Sequence, residues 1–167
     1  KVVYTYTTHI EMLNLLLKKN RCHKNVQIAM TAISTGGFLG DIVANIPYSQ
    51  LIAGVFAAIS LGFNLYFREQ NLEDLISRHR GTINDLWYLR EKYLSLLTDF
   101  DILDDNSIRV RRDSLGKETL DIYRIAPNTN SKAYERAQKN LKENEFQFFR
   151  PEEIDQMLPE ALRQIRN

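Results

Sequence analysis

A long apolar segment decides the fold of this chain. Residues 25–67 read NVQIAMTAISTGGFLGDIVANIPYSQLIAGVFAAISLGFNLYF. The segment contains no Lys, no Arg and a single acid, Asp41, although Asp, Glu, Lys and Arg make up 26% of the whole chain. A short polar interruption at residues 47–50 separates two runs, each close to the length of about 20 residues that a helix needs to cross a bilayer core of about 30 Å. The segment predicts a two-span transmembrane hairpin.

The flanks of the segment indicate its orientation. Basic residues stand just outside both of its ends: Lys18, Lys19, Arg21 and Lys24 before it, and Arg68, Arg78 and Arg80 after it. The connecting loop carries no charge and is too short to contain a domain. Because positive charge collects on the cytoplasmic side of short flanks, we expect both termini in the cytoplasm and the loop on the far side.

A buried hairpin in a large soluble protein is the alternative to two membrane spans. The rest of the chain lacks an apolar mass able to enclose two such helices, so the membrane interpretation is favoured. The formal net charge of +1 gives no basic excess, and we expect no direct contact with nucleic acid.

Polar residues of the first span recur at helical spacing and predict one polar stripe that several copies would turn toward a pore. The candidate pore-lining residues are Gln27, Thr31, Ser34, Asp41 and Asn45. Small residues form separate stripes that let helix backbones approach closely in lipid. The candidate helix-packing residues are Gly36, Gly40, Gly54, Ala58 and Gly62.

Asp41 is the residue whose environment matters most, because a carboxylate near mid-membrane costs about 3 kcal/mol on insertion scales. Three interpretations stay open. Asp41 lines an aqueous path made by several copies, or hydrogen-bonds in its neutral form across an interface, or lies near the outer headgroups. The last one follows from its position only a few residues before the loop.

The remaining chain predicts further helices. Residues 8–11, THIE, have the spacing of a capping box, so a helix should begin there and run to about residue 21. It is either an amphipathic anchor at the membrane or a helix packed on the cytosolic part. After the second span, a helix should continue without interruption as one rod of about 50 residues.

The long helix carries a heptad-like seam, typical of helix packing in a core or between copies. The seam comprises Leu72, Ile76, His79, Ile83, Leu86, Arg90, Tyr93, Leu97 and Phe100, and it is widened by Leu75, Leu89 and Leu96. Ser107 is a candidate cap for the next helix, and Ala126-Pro127 predicts a turn before a short helix. A last helix should begin near residue 150.

We therefore expect an all-α protein: a two-span transmembrane helical hairpin continued by a long cytosolic helix and a small C-terminal helical bundle. Residues 1–24 form the N-terminal amphipathic helix and residues 25–67 the hairpin. The long cytosolic helix covers residues 68–104, and the C-terminal helical region covers residues 105–167.

Motifs for catalysis or cofactor binding are missing from the sequence. It has no glycine-rich phosphate loop, no nucleophile elbow and no ligand spacing for a metal, and Cys22 is the single cysteine. We expect no enzyme activity and no cofactor. Arg109, Arg111 and Arg112 are a candidate anion contact; the alternative is a solvated helix face paired to local acids.

Several short motifs resemble those of the SLATT family. They are LNLLL at residues 13–17, CHKN at 22–25, RDSL at 112–115, AYERA at 133–137, EEID at 152–155 and LPEALR at 158–163. The resemblance implies a self-assembling two-transmembrane effector of a bacterial nucleotide-signalling defence system, located in the inner membrane. It also implies a nucleotide-signal synthase or a reverse transcriptase as an upstream partner, and it brings no catalytic residues.

Two functions are consistent with these features. The first is a homo-oligomeric effector that forms a membrane pore when activated. The second is a membrane-anchored scaffold or regulatory subunit that holds a cytosolic partner through the long helix.

Overall fold

The fold is all-α, as the sequence predicts. A computed structural model describes residues 1–44, 48–144 and 153, and the regular structure in these ranges is helical throughout. The helices are α1 (Val2–Ala44), α2 (Ser49–Glu69), α3 (Leu72–Thr98), α4 (Asp105–Ile125) and α5 (Ser131–Lys142). The C-terminal helix predicted to begin near residue 150 lies, apart from residue 153, outside the described residues.

Helix α1 begins earlier than the sequence suggests. Thr8 lies well inside the helix and donates its hydroxyl to the Tyr4 carbonyl at 2.8 Å, so the predicted capping box is wrong. Tertiary packing explains the early start, because Val2 and Tyr6 contact a buried leucine cluster of α3 and α4. The predicted N-terminal helix and the first apolar run are therefore parts of one 43-residue helix.

The helical stretch that follows the loop has one interruption, at Gln70 and Asn71. Asn71 adopts a left-handed conformation with φ 41°, and the Gln70 amide donates to the Phe67 carbonyl, which tightens the end of α2. Asn tolerates this conformation better than most residues, so the predicted rod contains a local break between α2 and α3.

Helices α1 and α2 form an antiparallel hairpin, and α3 prolongs its second arm. Contacts pair Gly37 with Ala53, His23 with Phe67, and His9 with His79, so the chain runs in opposite directions along the two arms. Helix α5 packs on α1, and α4 packs on α3. The N-terminal part of α1 thus packs against α3 and α5, which agrees with the packed alternative of the two left open by the sequence.

Two apolar clusters stabilise the part of the structure that lies away from the loop between α1 and α2. One contains Leu86, Leu89, Leu96 and Leu115, and the other contains Leu16, Leu72 and Ile76. The ion pair of Lys92 with Glu118, at 2.7 Å, and the hydroxyl contact of Tyr93 with Thr119, at 3.2 Å, add polar links between α3 and α4.

The predicted seam of α3 is buried along most of its length but not at its end. Leu72, Ile76, His79 and Leu86 are buried as expected, whereas Leu97 and Phe100 are exposed. Leu89 and Leu96, which were predicted to widen the seam, are buried as well, and Thr82 is a buried residue that the predicted seam did not include. The C-terminal half of α3 packs on α4, through the Lys92–Glu118 ion pair and the cluster of Leu86, Leu89, Leu96 and Leu115, so its buried face there is the one that meets α4.

Side-chain caps begin the last two described helices. The Asp104 carboxylate accepts hydrogen bonds from the Asn106 and Ser107 amides, so Asp104 rather than Ser107 is the cap of α4. The Ser107 hydroxyl also donates to Asp104, and these hydrogen bonds lower the pKa of that carboxyl. Asn130 caps α5 through the Ala133 amide.

The buried leucines of α3 provide a stability test with a matched control. Leu86 is 0% exposed and Leu97 is 66% exposed on the same helix. We expect Leu86→Ala to lower the free energy of unfolding by about 2–5 kcal/mol, because it removes buried methyl groups and leaves a cavity. Leu97→Ala should change it by less than about 0.5 kcal/mol. Urea unfolding of the detergent-solubilised protein, followed by circular dichroism, measures both; equal effects would contradict the assigned core.

Candidate functional site

The most unusual surface of the structure is the apolar outer face of α2. Large apolar side chains are exposed along the whole helix: Leu51, Ile52, Val55, Ile59, Leu61 and Leu65. Contiguous exposed apolar surface of this extent marks a membrane or an interaction site in natural proteins. On α1, Ile28, Ile33 and Leu39 are exposed in the same half of the molecule.

Length and composition allow one helical stretch among the described residues to cross a membrane. It is Ser49–Thr98, whose most apolar 18-residue window has a mean hydropathy of 1.6 and is only 11% buried. A core helix of a soluble protein would have most of that window buried, so the low burial favours an apolar surrounding for α2.

A close approach at Gly37 sets the distance between α1 and α2. A Cβ atom at this position would lie 3.2 Å from the Ala53 Cβ and 3.3 Å from the Ser49 carbonyl oxygen. Ser34 strengthens the same contact, because its hydroxyl donates to the Ala53 carbonyl at 3.2 Å. Sequence reasoning named the neighbouring Gly36 and missed Gly37, since small residues at either position suit a packing stripe.

Four of the five predicted helix-packing residues lie away from this contact: Gly36, Gly54, Ala58 and Gly62. A Cβ atom at Gly36, Gly54 or Gly62 would meet no neighbouring atom within 4 Å, and Ala58 is exposed. The surroundings of Gly40 lie outside the described residues. Packing by these small residues between copies of the chain stays a prediction.

The residues of the predicted polar stripe of α1 do not share one environment: some are exposed and one contacts α2. Gln27 and Thr31 are exposed, and the Thr31 hydroxyl donates to the Gln27 carbonyl at 2.9 Å within the helix. Ser34 faces α2 through the hydrogen bond to Ala53. Asn45 and the side chain of Asp41 lie outside the described residues.

Gly37 and Gly36 allow a matched test of the hairpin contact. We expect Gly37→Ala to destabilise the hairpin by about 1 kcal/mol relative to Gly36→Ala, because the added methyl must push α2 away. Gly36→Ala should be neutral or stabilising by up to about 1 kcal/mol, since Ala is the better helix former and the position is open. Unfolding in mixed micelles compares the two variants, and a more damaging Gly36→Ala would contradict the contact.

Polar ties join the two arms at the base of the hairpin, where the apolar segment ends. The Lys24 ammonium lies 2.9 Å from the Glu73 carboxylate, and the Lys19 ammonium donates to the Gln70 side chain at 2.7 Å. The rings of His23 and Phe67 lie with their centroids 3.6 Å apart. These contacts bring the basic flanks of both runs to one end of the hairpin.

A buried pair of histidines links α1 and α3 farther from the hairpin. The Nδ1 atoms of His9 and His79 lie 2.9 Å apart, and both side chains are buried. One Nδ1–H donates to the lone pair of the other, which requires at least one ring to be neutral. Burial lowers the pKa of both rings, and for His79, where the charges of His9 and Arg78 act in the same direction, the pKa falls to about 4. Sequence reasoning missed this pair because the two residues are distant in the chain.

The pair makes stability depend on pH. Because His79 binds a proton more weakly when folded than when unfolded, stability should be greatest near neutral pH and decrease as the pH falls from 6.5 to about 4. We expect a loss on the order of 2 kcal/mol across this window. His79→Gln removes the titrating ring and should flatten the dependence. Unfolding measured across this pH window tests it, and an equally steep profile for His79→Gln would contradict the assignment.

The arginines of α4 lie on an exposed face. Arg111 is 3.5 Å from Asp99, and Arg112 donates to Asp113 through Nε at 3.0 Å and a terminal nitrogen at 2.8 Å. Arg109 is exposed. Anion contact by this group stays a prediction. In the described ranges, no three His, Cys, Asp or Glu side chains come together as metal ligands do.

The protein is all-α, and its helical hairpin has an exposed apolar face and basic residues at the end away from its loop. These features suit association with a membrane. The chain belongs to the SMODS and SLOG-associating 2TM effector domain family 4, whose family model matches residues 1–153. This confirms the resemblance to the SLATT family. No curated protein and no solved structure matches the chain.

Proposed function

We propose that this chain is a homo-oligomeric membrane effector whose α1–α2 hairpin crosses the bacterial inner membrane twice and forms a pore when activated. The observation that carries the proposal is the outward apolar face of α2 in a chain of a 2TM effector family. Lipid or further copies of the chain must cover such a surface, because no other described helix lies over it.

The base of the hairpin supports an orientation with both termini in the cytoplasm. Lys24 and Arg68 lie on opposite arms at the same end, whereas Tyr48 at the other end is exposed in an uncharged loop. This asymmetry follows the positive-inside rule. A thiol-reactive probe added to intact cells should label Tyr48→Cys, in a Cys22→Ser background, and should not label Ser131→Cys; the reverse pattern would overturn the orientation.

A pore made by several copies would need a polar lining. Gln27 and Thr31 are exposed on α1, and Asp41 and Asn45 follow on the same predicted stripe. A ring of carboxylates at Asp41 would favour cations over anions in such a path. No catalytic step is needed for this activity, and we propose that the protein is not an enzyme.

The family description supports a place in a signalling system. SMODS- and SLOG-associating effectors are named after partner domains, so an upstream nucleotide-signal synthase, or a reverse transcriptase, is the proposed source of activation. The trigger would act on the cytosolic helices, because α1 connects them to the hairpin without a break.

A membrane-anchored scaffold is the second candidate function. Exposed apolar residues on the cytosolic helices favour it, since they offer a surface for a partner protein: Trp87, Tyr88, Leu94, Val110 and Leu120. The same residues would suit contacts between copies. The exposed residues therefore do not distinguish the two functions, which differ in their effect on the membrane.

Ion flux through liposomes separates the two functions. We expect the purified protein to release an entrapped dye or dissipate an ion gradient at high protein density, whereas a scaffold gives no flux at any density. Asp41→Asn should leave insertion intact and change the cation-to-anion selectivity, because it removes charge at nearly constant shape. Asp85→Asn, the same change on the exposed face of α3, is the control. Unaltered selectivity in Asp41→Asn would place the residue off the path.

A further inference from the structure

A cavity lies between the two arms at the base of the hairpin, which we call the basal cavity. It has a volume of about 420 Å³, within the range of small-molecule sites. Its walls combine basic, amide and aromatic side chains from both arms and from the start of α3. They include Lys24, Gln27, Phe63, Asn64, Phe67 and Arg68.

The charge of this cavity is unbalanced at Arg68. The Lys24 ammonium is already paired with the Glu73 carboxylate at 2.9 Å, so these two charges offset each other. Among the described residues no acid pairs with the Arg68 guanidinium, although it lines the same cavity. The net charge facing the cavity is therefore positive, and a guanidinium with free donors favours a phosphate or carboxylate oxygen.

The other polar walls of the basal cavity supply neutral donors. The side-chain amides of Gln27 and Asn64 line it together with the break residue Asn71. Neutral donors add hydrogen bonds to an anion without attracting a competing charge. Phe63 and Phe67 supply an apolar wall, and their rings contact each other with centroids 4.3 Å apart.

Position in the molecule identifies the source of the anion. The basal cavity lies where the apolar run of residues 25–67 ends and the first basic residues begin, with exposed Leu65 and Tyr66 beside it on α2. Under the proposed function, on which this step rests, that level is the cytoplasmic headgroup layer. Basic pockets between membrane helices on this side commonly bind lipid headgroups.

We propose that the basal cavity binds the phosphate of a membrane phospholipid, with Arg68 as the charged ligand and Asn64 and Asn71 as further donors. The lipid then bridges the two arms at the level where α2 ends and α3 begins. Its acyl chains continue along the apolar outer surface of the hairpin. The cavity thus ties the protein to the cytoplasmic leaflet.

Native mass spectrometry of the protein purified from cell membranes in mild detergent tests this inference. The wild type should retain a phospholipid, and Arg68→Gln should lower the retained fraction about tenfold, because it removes a charge-assisted hydrogen bond. Arg68→Lys keeps the charge and should retain more lipid than Arg68→Gln. Arg80→Gln makes the same change on α3 outside the cavity and should retain lipid like the wild type. Equal retention in Arg68→Gln and the wild type would overturn the inference.

Two further measurements distinguish a lipid site from a free-anion site and from a failure of insertion. Excess inorganic phosphate should fail to displace the lipid; displacement at a low concentration would show that the cavity selects a free anion instead. Carbonate extraction of cell membranes tests insertion alone. A wild-type protein that stays in the membrane but retains no phospholipid overturns the lipid site and leaves the proposed function standing. Release of the wild type by carbonate overturns the proposed function itself.

Discussion

The structure depends on the continuity of α1. This helix runs for 43 residues, about 65 Å, and it contacts α3 and α5 through its N-terminal part and α2 through its C-terminal part. Its N-terminal part buries polar and aliphatic side chains, and its C-terminal part carries exposed apolar ones. Because both parts belong to one continuous hydrogen-bonded helix, neither part can rotate about the helix axis without moving the other. The second arm has no such constraint, since Asn71 breaks it between α2 and α3.

Large parts of this architecture could be predicted from the sequence. The apolar run of residues 25–67, which has no Lys or Arg and one acid, indicated a hairpin because so long an apolar stretch has few structural alternatives. The helical class and the burial of Leu72, Ile76 and Leu86 followed from periodicity. The turn at Ala126-Pro127 followed from local chemistry, which acts within a few residues and does not depend on the rest of the fold. The family resemblance came from motifs spread along most of the chain.

The features that could not be predicted depend on residues distant in sequence. Thr8 has the spacing of a helix cap, yet the helix starts earlier because Val2 and Tyr6 pack on α3 and α4. His9 and His79 are 70 residues apart in the chain, and they come into contact only when the hairpin has formed. Gly37 rather than Gly36 lies at the close approach to α2. Which of the two glycines faces α2 depends on how α1 is rotated about its axis, and a stripe of small residues does not determine that rotation.

The two halves of the molecule are stabilised by different means. In the half away from the hairpin loop, buried leucines and the histidine pair hold α1, α3 and α4 together within one chain. In the hairpin, α1 and α2 touch closely at Gly37, Ser34 and Ala53, while the larger apolar side chains face outward. Burial therefore stabilises the half away from the hairpin loop from within, whereas the chain itself leaves the larger apolar side chains of α2 exposed. Under the proposed function, an exchange of lipid for neighbouring copies around the hairpin would leave the leucine core of α3 and α4 intact, which is what assembly into a pore would require.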